Sequence, residues 1–514
     1  MSRLFVRFHN ITFSYPSAVE PLFSDLTLHL PAGWSGIVGA NGTGKTTLLR
    51  LATGQLAPEA GTIDAPPRTV YCAQRTDDVP DRFEELIGDQ TKVAWSIRDM
   101  LGVEDDWLDR WATLSHGERK RAQIAVALWR EPDVLAIDEP TNHLDAQARE
   151  ALANSLRCFK GVGLLVSHDR ELLDSLCRQC AFIDPPEVTV RPGGVTKGME
   201  AAEIERQTAQ RQHEQSKRAY KKVRREAARR EGLAKQVQSR RSKRGLSIKD
   251  HDAREKRDRA RVSGKDGVGG KLRRQLSGQL ARAQQRSETS RVKKEHEIGI
   301  WLPGSTSKRN TLLELPAGSL TLGQRRQLRY PDLAIRPTDR IALTGANGSG
   351  KSTLVHRLVE ALEVPPEQLT YVPQEIDADE SRGLLDRARQ LAKDQLGHLM
   401  TIVSRLGSRP DRLLASEEPS PGEIRKLLLA LGMVRAPHII IMDEPTNHMD
   451  LPSIEALETA LADCPCCLLL VSHDQRFLGK LTPTMWHISA EDDTKAVFGL
   501  HIGPVCQPDK DPKR

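Results

Sequence analysis

Four short motifs occur twice in the chain, in the same order and at nearly the same separation. The pairs are GANGTGKTT at 39–47 with GANGSGKST at 345–353, YCAQ at 71–74 with YVPQ at 371–374, DEPTNHLD at 138–145 with DEPTNHMD at 443–450, and VSHD at 166–169 with VSHD at 471–474. A period of about 300 residues is far longer than the unit of a solenoid. The 514 residues are therefore expected to contain two duplicated domains.

Short apolar segments precede the motif loops in each copy, and helix-forming segments follow them. Residues 36–38, 134–137 and 164–166 are examples of such segments. This alternation predicts an α/β domain with a largely parallel sheet, with its chemistry at the carboxyl ends of the strands. The opening stretch LFVRFHNITFSY alternates apolar and polar residues, which predicts an antiparallel edge strand.

The sequence GxxxxGK[ST] predicts a phosphate-binding loop in each copy. Its glycines allow backbone N–H groups to turn inward around phosphates beside a helix N-terminus. Lys45 and Lys351 are predicted to bind phosphate oxygens, and Thr46 and Ser352 to place a hydroxyl on Mg²⁺. The predicted nucleotide-binding residues are Gly39, Asn41, Gly42, Gly44, Lys45, Thr46 and Thr47, and, in the second copy, Gly345, Asn347, Gly348, Gly350, Lys351, Ser352 and Thr353. ATP and Mg²⁺ are the expected ligands.

Two adjacent carboxylates end an apolar strand in each copy, in VLAIDEP and IIIMDEP. Asp138 and Asp443 are predicted to hold the metal, directly or through water. Glu139 and Glu444 are predicted to orient or deprotonate the attacking water. Two acids at a surface turn would be the ordinary alternative, but the identical DEPTNH continuations favour the catalytic interpretation.

A histidine and a glutamine in each copy complete the predicted sites. His168 and His473 follow apolar runs, so they are expected at strand ends that face the same crevice and to contact the γ-phosphate. Gln74 and Gln374 are weaker candidates individually. Their matched positions indicate ligands of the metal and its water.

These motifs resemble those of the ATP-binding cassette superfamily over about four-fifths of the chain. In that superfamily a serine–glycine signature completes each site from the opposite cassette, in a head-to-tail sandwich. LSHGE at 114–118 and PSPGE at 419–423 match the signature, with prolines in the second copy where leucine and glycine are common. The resemblance implies nucleotide contacts by Ser115, Gly117 and Glu118, and by Ser420, Gly422 and Glu423.

The superfamily also stacks an aromatic ring on adenine, and the two copies differ at that position. Tyr15 lies 24 residues before Gly39, where the ring is expected, although it could also be a simple strand aromatic. The equivalent position in the second copy is Thr321, with no aromatic neighbour. We therefore expect the two sites to differ in ATP affinity.

The basic character of the chain is concentrated between the two copies. Residues 201–300 contain 30 Lys and Arg but 13 Asp and Glu, whereas the rest of the chain is mildly acidic. Charge-rich helix formers without proline predict a long helix from about Met199, and helical composition resumes after a glycine-rich break. We predict a helical hairpin with a basic tip at 241–270. The predicted domains are 1–198 (the first cassette), 199–300 (the linker) and 301–514 (the second cassette).

Two cassettes in one chain, EPTNH-type loops and a charged helical linker resemble the ABC-F family. The resemblance implies an ATPase that binds the ribosome in its tRNA exit region, with residues 199–300 near rRNA, the P-site tRNA and the peptidyl-transferase centre. The long linker tip resembles resistance members, which protect ribosomes from antibiotics. No apolar run approaches the roughly 18 residues of a membrane span. We expect a cytoplasmic monomer with an intramolecular sandwich and no membrane contact.

Three other functions fit parts of this pattern. A general translation factor that relieves stalled ribosomes would use the same machinery. A DNA-associated ATPase would place the basic hairpin on branched duplexes. The motor of a transporter whose spanning subunits are encoded elsewhere is less compatible with the basic linker. That segment could also be a solvated spacer, but its charge excess favours a polyanionic partner such as folded nucleic acid.

Overall fold

The repeated motifs lie at the ends of parallel strands in both cassettes. The computed structural model describes residues 4–16, 18, 20–142, 144–241, 278–286, 305–323, 326–408, 410–416, 419–447, 449–491 and 496–504. The chain forms two units, one of Met1–Gly198 with His296–Arg514 and the other of Met199–Glu295. Both cassettes therefore belong to a single unit.

A six-stranded sheet in the order β5-β6-β7-β3-β8-β9 forms the centre of the first cassette, parallel except for β9. A second, antiparallel sheet has the order β2-β1-β4. The strands are β1 (Phe5–Phe13), β2 (Phe23–Pro31), β3 (Gly33–Gly39), β4 (Ala60–Asp64), β5 (Thr69–Cys72), β6 (Val134–Asp138), β7 (Val162–Val166), β8 (Cys177–Asp184) and β9 (Glu187–Pro192). The apolar segments predicted to precede the motif loops lie within β3, β6 and β7, which confirms that prediction.

The prediction of an edge strand at the start of the chain is wrong. Strand β1 is antiparallel, but it pairs with β2 on one side and β4 on the other. It is therefore the central strand of its sheet. The alternation of apolar and polar residues indicates that one face of the strand is buried, and Val6, Phe8 and Ile11 do lie in the core. A buried face does not show whether one or both edges of the strand are paired.

Helices cover the main sheet of the first cassette. They are α1 (Lys45–Ala52), α2 (Phe83–Gly88), α3 (Lys92–Leu101), α4 (His116–Trp129), α5 (Ala146–Arg157) and α6 (Arg170–Leu176). Asp145 and Asp169 begin α5 and α6 as N-caps, each accepting a backbone N–H bond three residues on. Leu48 and Leu49 of α1 pack in the same apolar cluster as strand residues such as Ile37 of β3.

The second cassette has an eight-stranded sheet in the order β11-β12-β19-β18-β14-β17-β16-β15, together with the pair β10-β13. Its strands are β10 (Leu313–Leu315), β11 (Gly318–Leu322), β12 (Arg326–Tyr330), β13 (Leu333–Ile335), β14 (Arg340–Gly345), β15 (Leu369–Val372), β16 (Ile439–Asp443), β17 (Cys467–Val471), β18 (Thr484–Ala490) and β19 (Val497–Pro504). Its helices are α8 (Lys351–Ala361), α9 (Ala378–Arg389), α10 (Lys393–Arg405), α11 (Pro410–Ala415), α12 (Pro421–Met433), α13 (Leu451–Ala462) and α14 (Gln475–Leu481).

One long helix, α7 (Val195–Arg241), follows the first cassette in the sequence. It has 47 residues, so it is about 70 Å long. Residues 278–286 are also helical, and the predicted tip at 241–270 lies outside the described residues except for Arg241 itself. The structure thus has two ATP-binding-cassette-type α/β domains and, between them in the sequence, a long basic helix. Within the described ranges, no helix has both the length and the apolar composition to cross a membrane.

Candidate nucleotide-binding and catalytic sites

Each predicted phosphate loop joins a buried strand to a helix through the same backbone shape. Gly44 and Gly350, the residues directly before α1 and α8, have φ of 96° and 97°. This left-handed region suits glycine, since a Cβ there is strained. A Cβ on either glycine would also lie 2.8 Å from an apolar side chain, of Phe23 or Leu322 respectively. The glycines predicted from the motif are therefore required by the loop itself.

The loop lysines lie inside these turns. The Nζ of Lys45 donates to the carbonyl oxygens of Gly39 and Ala40 at 2.8 and 3.0 Å. Lys351 makes the two equivalent bonds in the second loop at the same distances. Burial lowers the pKa of both lysines, against the raising effect of nearby carboxylates. Each ammonium group is thus held inside a loop that leads into a helix N-terminus, the kind of arrangement that binds phosphate.

A hydroxyl and a carboxylate meet in each site. The Oγ1 of Thr46 donates to Asp138 Oδ2 at 2.6 Å, and the Oγ of Ser352 donates to Asp443 Oδ2 at 2.9 Å. The acids end β6 and β16, and burial raises the pKa of both. The residues predicted as metal ligands from distant parts of the sequence are therefore brought together in pairs.

Glu139 and Glu444 have strained backbone conformations. Their φ values are 46° and 49°, in the left-handed region that residues with side chains rarely adopt. Each backbone N–H donates at 2.8 Å to the last residue of the neighbouring strand, Val166 or Val471. These bonds hold the strained turn, and strain of this kind is concentrated at functional sites.

In the first site, Glu139 lies against His168. The Nε2 of His168 is 3.0 Å from Glu139 Oε1, and the His168 backbone N–H donates to Oε2 at 3.3 Å. Burial by itself raises the pKa of Glu139, but the charge and hydrogen bonds of His168, together with the charge of Lys45, outweigh it. The pKa of Glu139 is therefore below its usual value. This carboxylate is ionised at neutral pH.

In the second site, burial outweighs the groups that lower the pKa of the glutamate. The Nε2 of His473 is 3.5 Å from Glu444 Oε1. Burial, with Lys351 and Arg149 nearby, lowers the pKa of His473 to about 3, so its ring is neutral and gives Glu444 no charge. Burial raises the pKa of Glu444 to about 7, despite the opposing effect of Arg149. Arg149 belongs to the first cassette and donates to the His473 carbonyl oxygen at 3.4 Å.

The two predicted glutamine ligands lie beyond the ends of strands beside the acid-bearing strands. Gln74 is exposed and Gln374 partly exposed, each two residues beyond a strand that pairs with the acid-bearing strand. Besides Thr46, Tyr71 also contacts Asp138, and its hydroxyl donates to Oδ2 at 3.3 Å. The repeated motifs YCAQ and YVPQ both contain this tyrosine, so the signal was present in the sequence.

Two buried cations behind the acids were also missed. The Nζ of Lys120 donates to the carbonyl oxygens of Ala73 and Asp138 at 2.6 and 2.9 Å. At the equivalent position Arg425 donates to the carbonyl oxygens of Glu444 and Asn447 at 3.3 and 2.7 Å. Both lie five residues after the signature serine. These bonds connect the signature helix to the acidic loop. They also satisfy the two buried charges, which would be costly to bury without hydrogen-bond partners.

The signature serines begin helices. Ser115 is the N-cap of α4 and Ser420 the N-cap of α12, each in a capping box with Glu118 or Glu423. The two glutamates are therefore used to close the caps. Pro421 lies in the first turn, where proline is tolerated, so the second signature keeps the geometry of the first. The difference is two backbone N–H groups, because Pro419 and Pro421 stand where the first signature has Leu114 and His116.

Each phosphate loop is contacted by an acid from the opposite cassette. Asp450 Oδ2 accepts the backbone N–H of Asn41 at 2.8 Å, and Asp145 Oδ2 accepts that of Asn347 at 3.3 Å. These aspartates end the DEPTNHLD and DEPTNHMD motifs and also begin α5 and α13. The reciprocal pair shows that the two cassettes face each other head to tail.

Further ionic contacts between the cassettes join residues that do not occupy equivalent positions in the two copies. Arg170 of the first cassette lies 3.1 Å from Glu458 of the second, and both side chains are buried. Arg476 of the second lies 2.9 Å from Asp174 and donates to the Thr196 hydroxyl at 2.7 Å. Thr196 lies in the first turn of α7, so this contact connects the second cassette to the start of the long helix.

Tyr15 lies beside the first phosphate loop. Its hydroxyl is 2.8 Å from Thr47 Oγ1, its ring packs edge-on against Phe13, and 41% of it is exposed. Thr321, the corresponding residue, is an exposed position of β11. The first site therefore has an aromatic side chain beside its phosphate loop, whereas the corresponding residue of the second cassette is a threonine.

A family model described as "ABC transporter" matches residues 23–142 and 328–447. The ribosome protection protein VmlR of Bacillus subtilis is 29% identical over 88% of this chain and 81% of its own length. The erythromycin resistance ATP-binding protein MsrA of Staphylococcus epidermidis is 28% identical over 88% and 92%. The energy-dependent translational throttle protein EttA of Escherichia coli K12 is 25% identical over 91% and 89%.

Solved structures share the architecture. A structure of RNase-L inhibitor superposes with a TM-score of 0.61 at 20% identity, covering 97% of this chain and 90% of that one. At this identity the similarity concerns the fold alone. The duplicated sites, the two matched cassettes and these relatives together identify the chain as an ATP-hydrolysing P-loop ATPase that belongs to the ATP-binding cassette proteins and, among them, to the ABC-F family.

Proposed function

We propose that the chain is a ribosome-binding ATPase of the cytoplasm, in which closure of the cassettes on ATP positions residues 199–300 in the tRNA exit region. We further propose that it protects ribosomes from antibiotics. The observation that carries the proposal is the reciprocal contact of Asp450 and Asp145 with the opposite phosphate loops. Because each phosphate loop contacts the opposite cassette, a nucleotide bound in that loop would affect how the two cassettes pack against each other.

The sites fit MgATP. In each, a hydroxyl and a carboxylate oxygen converge, the hard oxygen ligands that Mg²⁺ prefers beside phosphates. The described residues contain no group of three or more His, Cys, Asp or Glu suited to a metal, and a nucleotide-bound Mg²⁺ needs only one or two protein ligands. The metal would be held by Thr46, Asp138 and Gln74, and by Ser352, Asp443 and Gln374. When bound, Mg²⁺ offsets charge on the phosphate oxygens.

The remaining residues would carry out hydrolysis. Glu139 or Glu444 accepts a proton from a water molecule as that water attacks the γ-phosphorus. The bond from the γ-phosphorus to the bridging oxygen breaks, leaving ADP and phosphate. His168 would hold Glu139 through its ring and backbone N–H, and both His168 and His473 would face the γ-phosphate. Opposite-cassette signatures would donate backbone N–H groups to it, so hydrolysis removes an interaction that closes the clamp.

The long helix supports a nucleic-acid partner. Residues 195–241 contain 14 Lys and Arg against six Asp and Glu. Basic side chains along one helix bind a phosphate backbone through counterion release, with little sequence selectivity. VmlR is named for ribosome protection and MsrA for erythromycin resistance, which favours the same partner and role here.

A general translation factor is the second candidate. EttA is named as a translational throttle, and it aligns with 91% of this chain. Such a factor would use the same ATPase cycle and ribosome contact. The two candidates differ in their response to drug rather than in ribosome binding.

The test is ribosome co-sedimentation of the Glu139→Gln/Glu444→Gln variant with ATP across a salt series. The variant should pellet with ribosomes in ATP and not in ADP, because ATP remains unhydrolysed and the cassettes stay closed. Retention should fall with rising salt, and deletion of residues 201–300 should weaken it. A variant that binds ATP yet stays in the supernatant at low salt refutes ribosome binding, and branched DNA would then replace ribosomes in the assay.

Cell-free translation then separates the two roles. A resistance factor should restore translation inhibited by a drug of the peptidyl-transferase centre and leave drug-free translation unchanged. The Lys45→Ala/Lys351→Ala variant, which loses both loop lysines, is the matched control. Stimulation of stalled translation without drug, and no protection with it, would favour the general factor.

A further inference from the structure

Three cysteines lie in and beside the turn between α13 and β17. Cys464 and Cys466 lie on either side of Pro465, and Cys467 begins β17. The turn is at the surface, because Asp463 and Pro465 are exposed. The side chains of the three cysteines are buried, each at most 1% exposed. The thiols therefore lie directly beneath a surface turn of the second cassette.

Two of these thiols are in contact. The Sγ atoms of Cys464 and Cys466 are 2.7 Å apart. A disulfide bond is about 2.05 Å long, so a movement of about 0.65 Å would bring the two sulfurs to bonding distance. The hydrogen bond from Cys466 lowers the pKa of the Cys464 thiol against the effect of burial, with help from the charge of Arg340. The same contact raises the pKa of Cys466, so Cys464 is the thiol that ionises first.

Arg340 holds the backbone of the turn. This first residue of β14 donates from Nη1 to the Leu461 carbonyl oxygen at 2.9 Å. Its Nη2 donates to the carbonyl oxygens of Ala462 and Cys464 at 3.1 and 2.5 Å. Carbonyl groups at the end of a helix have no partner within the helix, and the guanidinium supplies one. It also places a positive charge near Cys464, the kind of surroundings in which a thiolate is stabilised.

Cys467 has different surroundings, although it is the next residue along the chain. Burial and the charge of Asp339 raise the pKa of its thiol. Its side chain belongs to the apolar core of the second cassette, together with Ile439 and Leu469. A buried thiol in apolar surroundings is unreactive. Neighbouring cysteines of one segment are therefore expected to differ in reactivity.

We propose that Cys464 and Cys466 form a reversible redox site, which a hydroperoxide closes to a disulfide and a dithiol reopens. A hydroperoxide is a small molecule that can reach these thiols when the surface turn opens locally. Disulfides that form transiently in reducing compartments are mostly catalytic or redox-sensing ones. This inference concerns thiol chemistry and goes beyond the ribosome as partner. Its failure would leave the ribosome experiment unaffected.

The reaction has two steps. The Cys464 thiolate attacks one oxygen of hydrogen peroxide, the O–O bond breaks, and hydroxide leaves and takes up the proton that the thiol lost. Cys464 is then a sulfenic acid. The Cys466 sulfur attacks the Cys464 sulfur, the S–O bond breaks, and the departing oxygen takes the Cys466 proton and leaves as water. Two thiols and one peroxide give one disulfide and two water molecules.

The test uses the full chain, reduced and then freed of reductant in the absence of oxygen. After exposure to hydrogen peroxide, the remaining thiols are alkylated, and the peptide that contains residues 464–467 is analysed by mass spectrometry. We expect a disulfide between Cys464 and Cys466, which dithiothreitol reverses. Cys464 should lose its free thiol at least about tenfold faster than Cys467, because the thiolate is the nucleophile.

Three variants separate the roles of the cysteines. Cys466→Ser should leave Cys464 as a sulfenic acid that dimedone traps, because no second thiol displaces its oxygen. Cys464→Ser should give neither the sulfenic acid nor the disulfide. Cys467→Ser is the matched control, and it should form the disulfide as wild type does. Equal ATP turnover of the reduced variants and reduced wild type checks that all of them fold.

Three results would overturn the proposal. One is oxidation of Cys464 and Cys467 at equal rates, and another is a disulfide that joins Cys467 instead of Cys466. The third is the absence of any disulfide in folded wild type at an excess of peroxide.

Discussion

Glu139 and Glu444 follow equivalent buried strands and share the same left-handed backbone, yet their surroundings favour different protonation states. His168 lies within 3.0 Å of Glu139 and lowers its pKa, whereas His473 lies at 3.5 Å from Glu444 and is itself neutral. The second pair of residues therefore has a carboxyl group that titrates near neutrality. Duplicated motifs preserve the backbone more strictly than the electrostatics.

Besides burial and the nearby Lys351, one contribution to the low pKa of His473 comes from the opposite cassette. Arg149 of the first cassette donates to the His473 carbonyl oxygen and is one of the charges that lower the His473 pKa. The residue at the equivalent position of the second cassette is Ile454, which is buried and uncharged. A head-to-tail arrangement thus places one cation at the second site with no counterpart at the first.

The largest expected effect tests what the sites share. Glu139→Gln/Glu444→Gln removes both candidate bases while keeping their shape, and loss of a general base lowers rates by about 10²- to 10⁴-fold. Steady-state phosphate release should fall by that amount, with ATP binding retained. The control is Glu150→Gln, an exposed carboxylate on α5 that should change turnover less than twofold. Turnover within tenfold of wild type would contradict the assignment of both glutamates.

A tenfold effect of pH should distinguish the sites. In Glu139→Gln only Glu444 remains, and a base must be deprotonated to act. With a pKa of about 7, roughly a tenth of Glu444 is ionised at pH 6 and nine-tenths at pH 8, so turnover should rise about tenfold between them. In Glu444→Gln the remaining base is Glu139, whose pKa lies below its usual value, so turnover should vary less than twofold. Equal slopes in the two variants would show that the sites do not differ in this way.

The sequence predicts the part of each site that local chain geometry determines. The phosphate loop requires glycines with positive φ at fixed spacing before a helix, so Gly44 and Gly350 identify it without a structure. The same holds for acids at strand ends, since parallel strands bring their carboxyl ends together. The α/β fold followed from these segments, although the central position of β1 did not.

What escaped prediction depends on contacts between remote segments. Asn41 and Asp450 are 409 residues apart, and their hydrogen bond exists only because the cassettes face each other. VSHD is identical in both copies, so no pattern in it could reveal the unequal distances of His168 and His473 from their glutamates.

The smallest expected effect concerns the tyrosines of YCAQ and YVPQ. Burial and the charge of Asp138 raise the pKa of Tyr71 to about 12, so its hydroxyl stays protonated and donates to Asp138. Tyr371 instead packs edge-on against the His356 ring. Because partners behind a metal ligand hold it in place, Tyr71→Phe should raise by roughly threefold the Mg²⁺ concentration needed for half-maximal labelling of the first cassette with a photoreactive adenine nucleotide. Tyr371→Phe should leave the value for the second cassette unchanged, and equal shifts in both would mean that Tyr71 does not position Asp138.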